Sequence, residues 1–348
     1  MAPNTLTFKR ILANSSILGA NPEPSHFRVV TVTEPIPELK PNELFVKNLS
    51  FSLDPYIRYE FAKGQTESPV IGFGLSRVLE SANPSFPKDS LILAPVDWAE
   101  YSHISSSELL IEVVLVDRTL PYADKVSLSA YHGVLGVPGL TAWHSLRKIG
   151  DLKAGETIYV SSAAGTLGQL VGQLAKRKGL RVIGSAGSQA KIDYLTKELG
   201  YDYVFNYKTA DKRQALTEAV GDKGLDIYYD LVGDDTTEVV LDLLNPRGRI
   251  LAVGILAEHQ GQKTEPPKNL INILFKQLRY EGYVIFGNAQ EVPAFWEELL
   301  PLVANGDIKY TEHIVKLGQG GLEAVPQTYI NLLKGVYQGK VSVDVASE

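Results

Sequence analysis

A short glycine-containing segment of the chain has the residue types of a phosphate-binding turn. Residues 158–168 read IYVSSAAGTLG, so that a strand-like run leads into Ala163-x-Gly165-x-x-Gly168 and then into a helix. Small residues let the backbone approach a pyrophosphate, and a helix N-terminus supplies N–H groups and the positive end of a dipole. The strand before the turn and the amphipathic helix after it predict a dinucleotide site, although a tight turn without a ligand would use the same residues.

The segment after that helix indicates which dinucleotide would bind. Residues 181–191 read RVIGSAGSQAK, where NAD-binding folds keep an acidic residue for the ribose hydroxyls. Here Ser188 and Lys191 offer a hydroxyl and an ammonium group, and Tyr207 in FNYKT adds a hydroxyl on the same rim. These groups suit a 2′-phosphate dianion, so the sequence favours NADPH. Taken singly, Lys191 could also be a solvated surface lysine, and Tyr207 a tyrosine that covers the sheet edge.

The elements that would position these residues differ between two parts of the chain. Residues 1–133 contain short strand-like runs broken by Pro, Gly, Asn and Ser, as in an irregular β-rich domain. From residue 157 onward, strand-length apolar runs such as EGYVIF alternate with helix-length segments such as 270–278, which predicts a parallel sheet covered on both faces and an α/β fold class. The final GKVSVDV is strand-like and needs a sheet to join, and the N-terminal domain is the expected host.

Composition excludes several classes of function. Of the 348 residues, 44% are hydrophobic and 21% charged, as in ordinary enzymes, and the net charge of −6 disfavours binding to nucleic acid or anionic membranes. Without cysteine, the chain can form no disulfide, thiolate zinc site or cysteine nucleophile. The first residues, MAPNTLTFKR, lack the apolar core of a signal peptide, and no apolar run could span a bilayer. We therefore expect a cytoplasmic protein.

Four motifs, taken in order, resemble one enzyme superfamily. DPYIR (Asp54–Arg58), VPGLTAW (Val137–Trp143), GSAGSQAK (Gly184–Lys191) and FNYKT closely resemble medium-chain dehydrogenases/reductases, and within them the zinc-independent prostaglandin reductases and alkenal double-bond reductases. The resemblance covers nearly the whole chain. It implies a GroES-like catalytic domain, residues 1–133 and 314–348, and a Rossmann NADPH-binding domain, residues 134–313. It also implies NADPH-dependent reduction of the carbon–carbon double bond of α,β-unsaturated aldehydes and ketones.

The resemblance further implies a set of cofactor and substrate contacts. The glycine turn would hold the pyrophosphate, Lys191 and Tyr207 the 2′-phosphate, and Tyr56 would face the substrate. The implied cofactor contacts are Thr141, Gly165, Thr166, Leu167, Gly168, Ser188, Lys191, Tyr207, Val253, Gly254, Ile255, Tyr283, Val284, Ile285 and Tyr337.

A catalytic metal is not expected. Zinc-dependent relatives need a cysteine ligand and a Gly-His-Glu segment, and IGFGLSRVLE (Ile71–Glu80) is similar to that segment without its histidine. The six histidines are scattered, and no pair of them shows the spacing of metal ligands.

Three positions near the predicted nicotinamide and substrate contacts depart from the family pattern. His259 in GILAEH replaces a tyrosine, Leu231 in DLVG an asparagine, and Tyr337 in GVYQGK another asparagine. Hydride addition to the β-carbon would develop negative charge on the carbonyl oxygen, which a positioned donor would stabilise. Tyr56 and His259 are the catalytic candidates, Tyr337 is a further substrate contact, and the ribose 2′-hydroxyl of the cofactor could donate instead.

These departures leave other functions open. The chain keeps the phosphate-binding motif but differs from the family near the nicotinamide. This combination also fits a quinone reductase, a reductase dedicated to one biosynthetic intermediate, or an NADPH-binding protein without turnover. The resemblance also implies a homodimer that forms through the sheet edge near EGYVIF. No nucleic-acid or membrane partner is expected.

Overall fold

The chain forms two compact units. The computed structural model describes residues 5–13, 22–58, 67–105, 112–259 and 265–347. The first unit contains Met1–Gly136, Phe286–Ala304 and Glu312–Glu348, and the second contains Val137–Ile285 and Asn305–Thr311. One unit is β-rich and the other holds a parallel sheet with helices, so the predicted α/β fold class is confirmed.

The first unit is built from two sheets. Its described strands are β1 (Thr5–Ala13), β2 (Phe27–Pro35), β3 (Leu44–Leu53), β4 (Ser68–Pro69), β5 (Ile71–Ser81), β6 (Leu91–Asp97), β7 (Tyr101–Ile104), β8 (Val114–Leu115), β15 (Glu312–Val315) and β16 (Lys340–Asp344). One sheet has the order β2-β1-β4, and the other has the order β15-β16-β3-β5-β6-β8, with β7 also paired to β3. β16 runs antiparallel to β3, with Val341 opposite Leu53, so the predicted docking of the last strand is confirmed.

The second unit has the strand order of a Rossmann fold. Its described strands are β9 (Thr157–Val160), β10 (Arg181–Ala186), β11 (Tyr203–Asn206), β12 (Leu225–Asp230), β13 (Leu244–Ala252) and β14 (Arg279–Gly282). All pairings are parallel, in the order β11-β10-β9-β12-β13-β14. The inner strands β9 and β12 are buried on both faces, which explains why they read as continuous apolar runs.

Helices cover both units. Those of the second unit are α1 (Val137–Ser145), α2 (Thr166–Arg177), α3 (Gln189–Lys197), α4 (Lys212–Val220), α5 (Thr236–Leu243), α6 (Leu256–His259) and α7 (Ile271–Phe275). Those of the first unit are α8 (Val292–Ala304) and α9 (Val325–Leu333). In the part of the chain that the structure describes, no helix has the length and hydropathy needed to cross a membrane.

Three local features differ from the sequence pattern. The strand expected over EGYVIF ends at Gly282, and the helix expected over 270–278 covers only Ile271–Phe275. The sequence also placed 286–304 with the Rossmann domain, whereas packing assigns it to the first unit. Trp296 explains this assignment, because its Nε1 donates to the Leu135 carbonyl at 2.8 Å and its ring packs edge-on against Tyr131 at 5.4 Å.

A buried histidine lies in the core of the first unit. His132 is 2% exposed, and its Nε2 lies 2.6 Å from Ser50 Oγ. No described residue partners its Nδ1. Burial and, after it, the nearby Lys340 ammonium lower the pKa of His132 from 6.5 to about 3. The imidazole is therefore neutral in the folded protein at physiological pH.

We expect this histidine to make the first unit less stable in mild acid. The unfolded chain binds a proton at His132 below the ordinary pKa of 6.5, whereas the folded chain does not until about pH 3, so stability falls as pH drops through this window. Between about pH 7.5 and about pH 5.5 the loss is about 1 kcal/mol, or about 2–4 °C in Tm. His132→Gln should lose less Tm over this range than the wild type. The matched variant His26→Gln should behave as the wild type does, and equal losses in all three proteins would contradict the assignment.

Candidate functional site

The turn between β9 and α2 brings small residues against the start of a helix. Ala163 N donates to the Ser185 carbonyl at 3.0 Å, and Gly165, the N-cap of α2, donates to the Ser162 carbonyl at 3.0 Å. A Cβ at Gly168 would lie 2.6 Å from the Cα and the carbonyl oxygen of Ala163, so only glycine permits this approach. The helix runs for 12 residues, and its first turn, Thr166–Gly168, therefore offers N–H groups and a partial positive charge to a phosphate.

The ends of β10 and β11 form a polar rim beside this turn. Tyr207 N donates to the Ala186 carbonyl at 3.2 Å, which holds the two strand ends together. Ser188 caps α3, because its Oγ accepts from Lys191 N at 3.4 Å. A Cβ at Gly187 would lie 3.0 Å from the Tyr207 hydroxyl and 3.0 Å from Lys208 Cε. The Tyr207 hydroxyl, predicted to bind the 2′-phosphate, thus lies beside Gly187 and next to Ser188 in the chain.

This rim carries two ammonium groups. Burial lowers the pKa of Lys191, and the ammonium of Lys208 lowers it further. Two like charges at one place favour an anion between them. Lys208 was not singled out from the sequence. Its position directly after Tyr207 in FNYKT, as a second cation beside a motif residue, was the signal that could have identified it.

The carboxylate near the rim is neutralised by a lysine. Burial, and then Asp234, raise the pKa of Tyr207, while Lys212 lowers it. Asp234 itself accepts from Lys212 Nζ at 2.7 Å, and hydrogen bonds from Lys212 and Thr236 outweigh burial and lower its pKa. The acidic side chain therefore does not cancel the positive charge of Lys191 and Lys208.

A buried aspartate organises the next turn along the sheet edge. Asp230 Oδ1 accepts from Val232 N and Gly233 N at 2.9 Å each and from the Tyr228 hydroxyl at 2.9 Å. Burial raises the pKa of Asp230, and these hydrogen bonds partly offset that rise. Leu231 N donates to Ser161 Oγ at 2.9 Å, so the turn that carries the altered DLVG position is bound to the glycine turn.

The predicted nicotinamide-side residues follow the last two strands. Val253, Gly254 and Ile255 come directly after β13, and the amides of the first two donate to the Asp230 carbonyl at 2.9 and 3.0 Å. Tyr283, Val284 and Ile285 come directly after β14, and Tyr283 N donates to the Ala252 carbonyl at 2.9 Å. Since parallel strands end at the same edge of a sheet, these residues share the edge that carries the glycine turn and the rim.

A histidine–tyrosine pair links α1 to the end of β14. The Tyr283 hydroxyl is hydrogen bonded to His144 Nδ1, and the two rings meet edge-on at 5.7 Å. Thr141 lies one turn earlier on α1, with its hydroxyl donating to the Val137 carbonyl at 2.7 Å. His144 was not singled out from the sequence, because its partner lies 139 residues further along the chain.

Two tyrosines with predicted substrate roles lie in the first unit. Tyr56 sits on the 3-10 turn Pro55–Ile57, with its ring edge-on to Phe286 at 5.6 Å. Tyr337 stacks on His313 at 4.1 Å, and its hydroxyl accepts from Asn331 Nδ2 at 3.2 Å. The backbone of His259 ends α6, but its side chain lies outside the described part of the structure. Among the described residues, no group of three His, Asp or Glu side chains could hold a metal ion.

A Rossmann sheet with a glycine turn and a basic rim, joined in one chain to a β-rich unit, defines a dinucleotide-binding oxidoreductase. Residues 166–305 match the family described as zinc-binding dehydrogenase, and residues 9–113 match the N-terminal domain of oxidoreductases.

Similar proteins match over nearly the full length. The chain is 34% identical to the NADP(+)-dependent 2-alkenal reductase of Nicotiana tabacum, covering 98% of each chain. It is 36% identical to prostaglandin reductase 1 of Bos taurus, covering 92% of this chain and 94% of the relative. The crystal structure of CurA from Vibrio vulnificus in complex with NADPH superposes with a TM-score of 0.84 at 28% identity, covering 98% of this chain and all of that one. The chain therefore belongs to the medium-chain dehydrogenase/reductase family, in its zinc-independent group of prostaglandin and alkenal reductases.

Proposed function

We propose that the protein reduces the carbon–carbon double bond of α,β-unsaturated aldehydes and ketones with NADPH, by hydride transfer to the β-carbon and without a metal. The observation that carries this proposal is the near-full-length similarity to an NADP-dependent 2-alkenal reductase. The chain is an NADP-dependent oxidoreductase that acts on carbon–carbon double bonds, and its cofactor is NADPH.

The second unit has the features that NADPH requires. The close approach at Gly168 holds the start of α2 against Ala163, and the first turn of α2 would donate its N–H groups to the pyrophosphate. The Tyr207 hydroxyl and Lys208 lie against Gly187, and Lys208 is near enough to Lys191 to lower its pKa, so we expect these three groups to bind the 2′-phosphate. Val253–Ile255, Tyr283–Ile285 and Thr141 would contact the nicotinamide end.

The chemical step needs a donor at the substrate carbonyl oxygen. When bound, NADPH supplies the hydride for the β-carbon, and a proton that adds to the α-carbon of the enolate completes the reduction. We assign the phenol of Tyr56 as the donor that stabilises the negative charge on the oxygen, since preorganised donors contribute about 10²–10³ in rate. Tyr337, whose hydroxyl is held by Asn331, would contact the substrate, and His259 is the alternative donor and acid. A conjugated acceptor spreads its own charge, so this chemistry does not call for a metal.

The altered chemical end favours a second candidate function. Leu231 and Tyr337 replace two asparagines of the family pattern, so polar contacts around the substrate differ from those of the group. A quinone reductase, or a reductase dedicated to one biosynthetic intermediate, would fit these changes. A protein that binds NADPH without turnover is the remaining alternative.

We also propose a cytoplasmic homodimer that forms through the outer edge of β14. This strand ends the described sheet order, so its outer backbone groups have no strand partner within the described chain. Apolar side chains around it are exposed, including Val284 at 67% and Phe275 at 77%. An edge strand with exposed apolar residues is a template for pairing with another chain. A second copy would pair the two edges and cover these residues, and the absence of cysteine is compatible with a reducing compartment.

The function is tested by following cofactor absorbance. Purified protein is mixed with NADPH or NADH and with panels of 2-alkenals, enones and quinones, each with and without a chelator. We expect alkenal- or enone-dependent oxidation of NADPH, a weak response with NADH and no effect of the chelator. Oxidation with quinones alone would select the quinone reductase, and tight NADPH binding without turnover would select the non-catalytic protein.

Lys191→Met should discriminate between the two cofactors. Loss of a charge-assisted hydrogen bond to the 2′-phosphate costs about 1.5–3 kcal/mol, so the KM for NADPH should rise about tenfold or more. The KM for NADH should stay the same. Lys197→Met is the matched control, because Lys197 lies on the same helix and pairs with Asp193 at the surface. A similar rise of KM for both cofactors would contradict the role of the rim.

Val284→Asp should dissociate the dimer. Two carboxylates brought together at an apolar edge would repel each other and lose their hydration. Sedimentation velocity should show a dimer for the wild type and for Leu317→Asp, in which the exposed leucine lies in the first unit. The Val284→Asp variant should sediment as a monomer. A monomeric wild type would overturn the dimer proposal.

A further inference from the structure

The end of β3 holds a buried ion pair next to the turn of Tyr56. Lys340, the first residue of β16, has a side chain only 2% exposed. Its Nζ donates to Asp54 Oδ1 at 2.5 Å and to the Leu53 carbonyl at 3.0 Å. Ser52 Oγ donates to Asp54 Oδ2 at 2.5 Å. Because both carboxylate oxygens are held, Asp54 cannot rotate independently of the two strands.

Stability alone does not account for this pair. Burial disfavours an ammonium group and lowers the pKa of Lys340, while Asp54 acts in the opposite direction. A buried ion pair is often no more stabilising than well-packed apolar residues of similar volume. The directional hydrogen bonds of the ion pair, however, fix one arrangement of the two strands more tightly than apolar packing would. The geometry fixed here is that of the chain directly after Asp54.

The turn after Asp54 is anchored on both sides of Tyr56. The Tyr329 hydroxyl donates to the Pro55 carbonyl at 3.4 Å, and Ile57 is fully buried. The Tyr56 ring packs edge-on against Phe286, which in turn stacks on Phe73 at 6.5 Å. The backbone and the ring of Tyr56 are thus both constrained, and the ion pair holds the residue that precedes the turn.

We propose that Lys340 and Asp54 are positioning residues, which set the placement of the Tyr56 phenol by holding the start of its turn against β16. This inference rests on the proposed function, in which that phenol contacts the substrate carbonyl. It assigns a role to a lysine 286 residues away from its partner in the sequence. Both side chains face the interior, Lys340 2% and Asp54 16% exposed, so we assign the pair a role through Tyr56 and not through direct contact with the substrate.

The first test reads the position of Tyr56 without turnover. The full chain is labelled with 3-fluorotyrosine, and the fluorine resonance of Tyr56 is assigned by its absence in Tyr56→Phe. The double variant Asp54→Asn/Lys340→Met removes both charges together, so that no charge is left buried alone. Lys340→Met is a second variant if the double one does not fold, because the remaining Asp54 is 16% exposed and keeps its hydrogen bond from Ser52. We expect the Tyr56 resonance to shift or broaden. The matched control is Val343→Ala, which opens a cavity on the same strand and leaves the pair intact. An unchanged Tyr56 resonance in the charge-free variant would overturn the inference.

The second test is a kinetic cycle with Tyr56→Phe. Displacement of a catalytic group by about 1 Å lowers kcat by about 10- to 100-fold. The charge-free variant should show this loss with the Kd for NADPH unchanged. In the Tyr56→Phe background it should cause less than about a twofold loss, because positioning matters only for the phenol. Equal losses in both backgrounds would show a general structural effect and would overturn the inference. If the wild type reduces no alkenal or enone, the proposed function fails, and the fluorine spectra still decide the positioning role.

Discussion

The dinucleotide site depends on the close approach of α2 to the end of β9, which glycine alone permits. The same contact is reinforced from the other side by Tyr201, which is 3% exposed and whose hydroxyl donates to the Gly168 carbonyl at 2.7 Å. A Cβ at Gly172 would lie 2.2 Å from the Tyr201 ring, and one at Gly184 would lie 2.7 Å from it. Glycines on the helix and on β10 therefore make room for one tyrosine, which ties the first turn of α2 to the sheet. The backbone that would face a pyrophosphate is thereby fixed against the sheet.

The proposed cofactor contacts and the proposed substrate contacts use different kinds of groups. At the proposed phosphate end, recognition would use backbone N–H groups and ammonium charges, which depend on strand ends and helix starts. At the proposed nicotinamide end, the sheet again holds the backbone, because the Asp230 carbonyl accepts from the amides of Val253 and Gly254. The proposed substrate contacts are instead the side chains of Tyr56 and Tyr337, each held by its own contacts. Under the proposed function, substitutions among such side chains would change the acceptor while the cofactor site is kept.

The sequence predicts what depends on local pattern. Apolar runs of strand length predicted β9 and β12, because both faces of these inner strands are buried. The glycine spacing predicted the turn before α2. The predicted edge strand β14 was too long at its end, because apolar residues continue past Gly282 into a segment that does not pair. The position of 286–304 was also misjudged, since it depends on Trp296 reaching Leu135, a contact between residues 161 positions apart.

The sequence could not predict polar pairs whose members lie far apart in the chain. Lys340 with Asp54, and His144 with Tyr283, join residues 286 and 139 positions apart, and neither member of either pair has a spacing that points to the other. Tyr337 illustrates the consequence for function. In the sequence, Tyr337 is only a replacement of the family asparagine. In the structure, its ring stacks on His313 and its hydroxyl accepts a hydrogen bond from Asn331. The larger residue at position 337 is thus held by neighbours of its own. Because this altered side chain is packed and hydrogen bonded, it favours a changed acceptor over a lost activity.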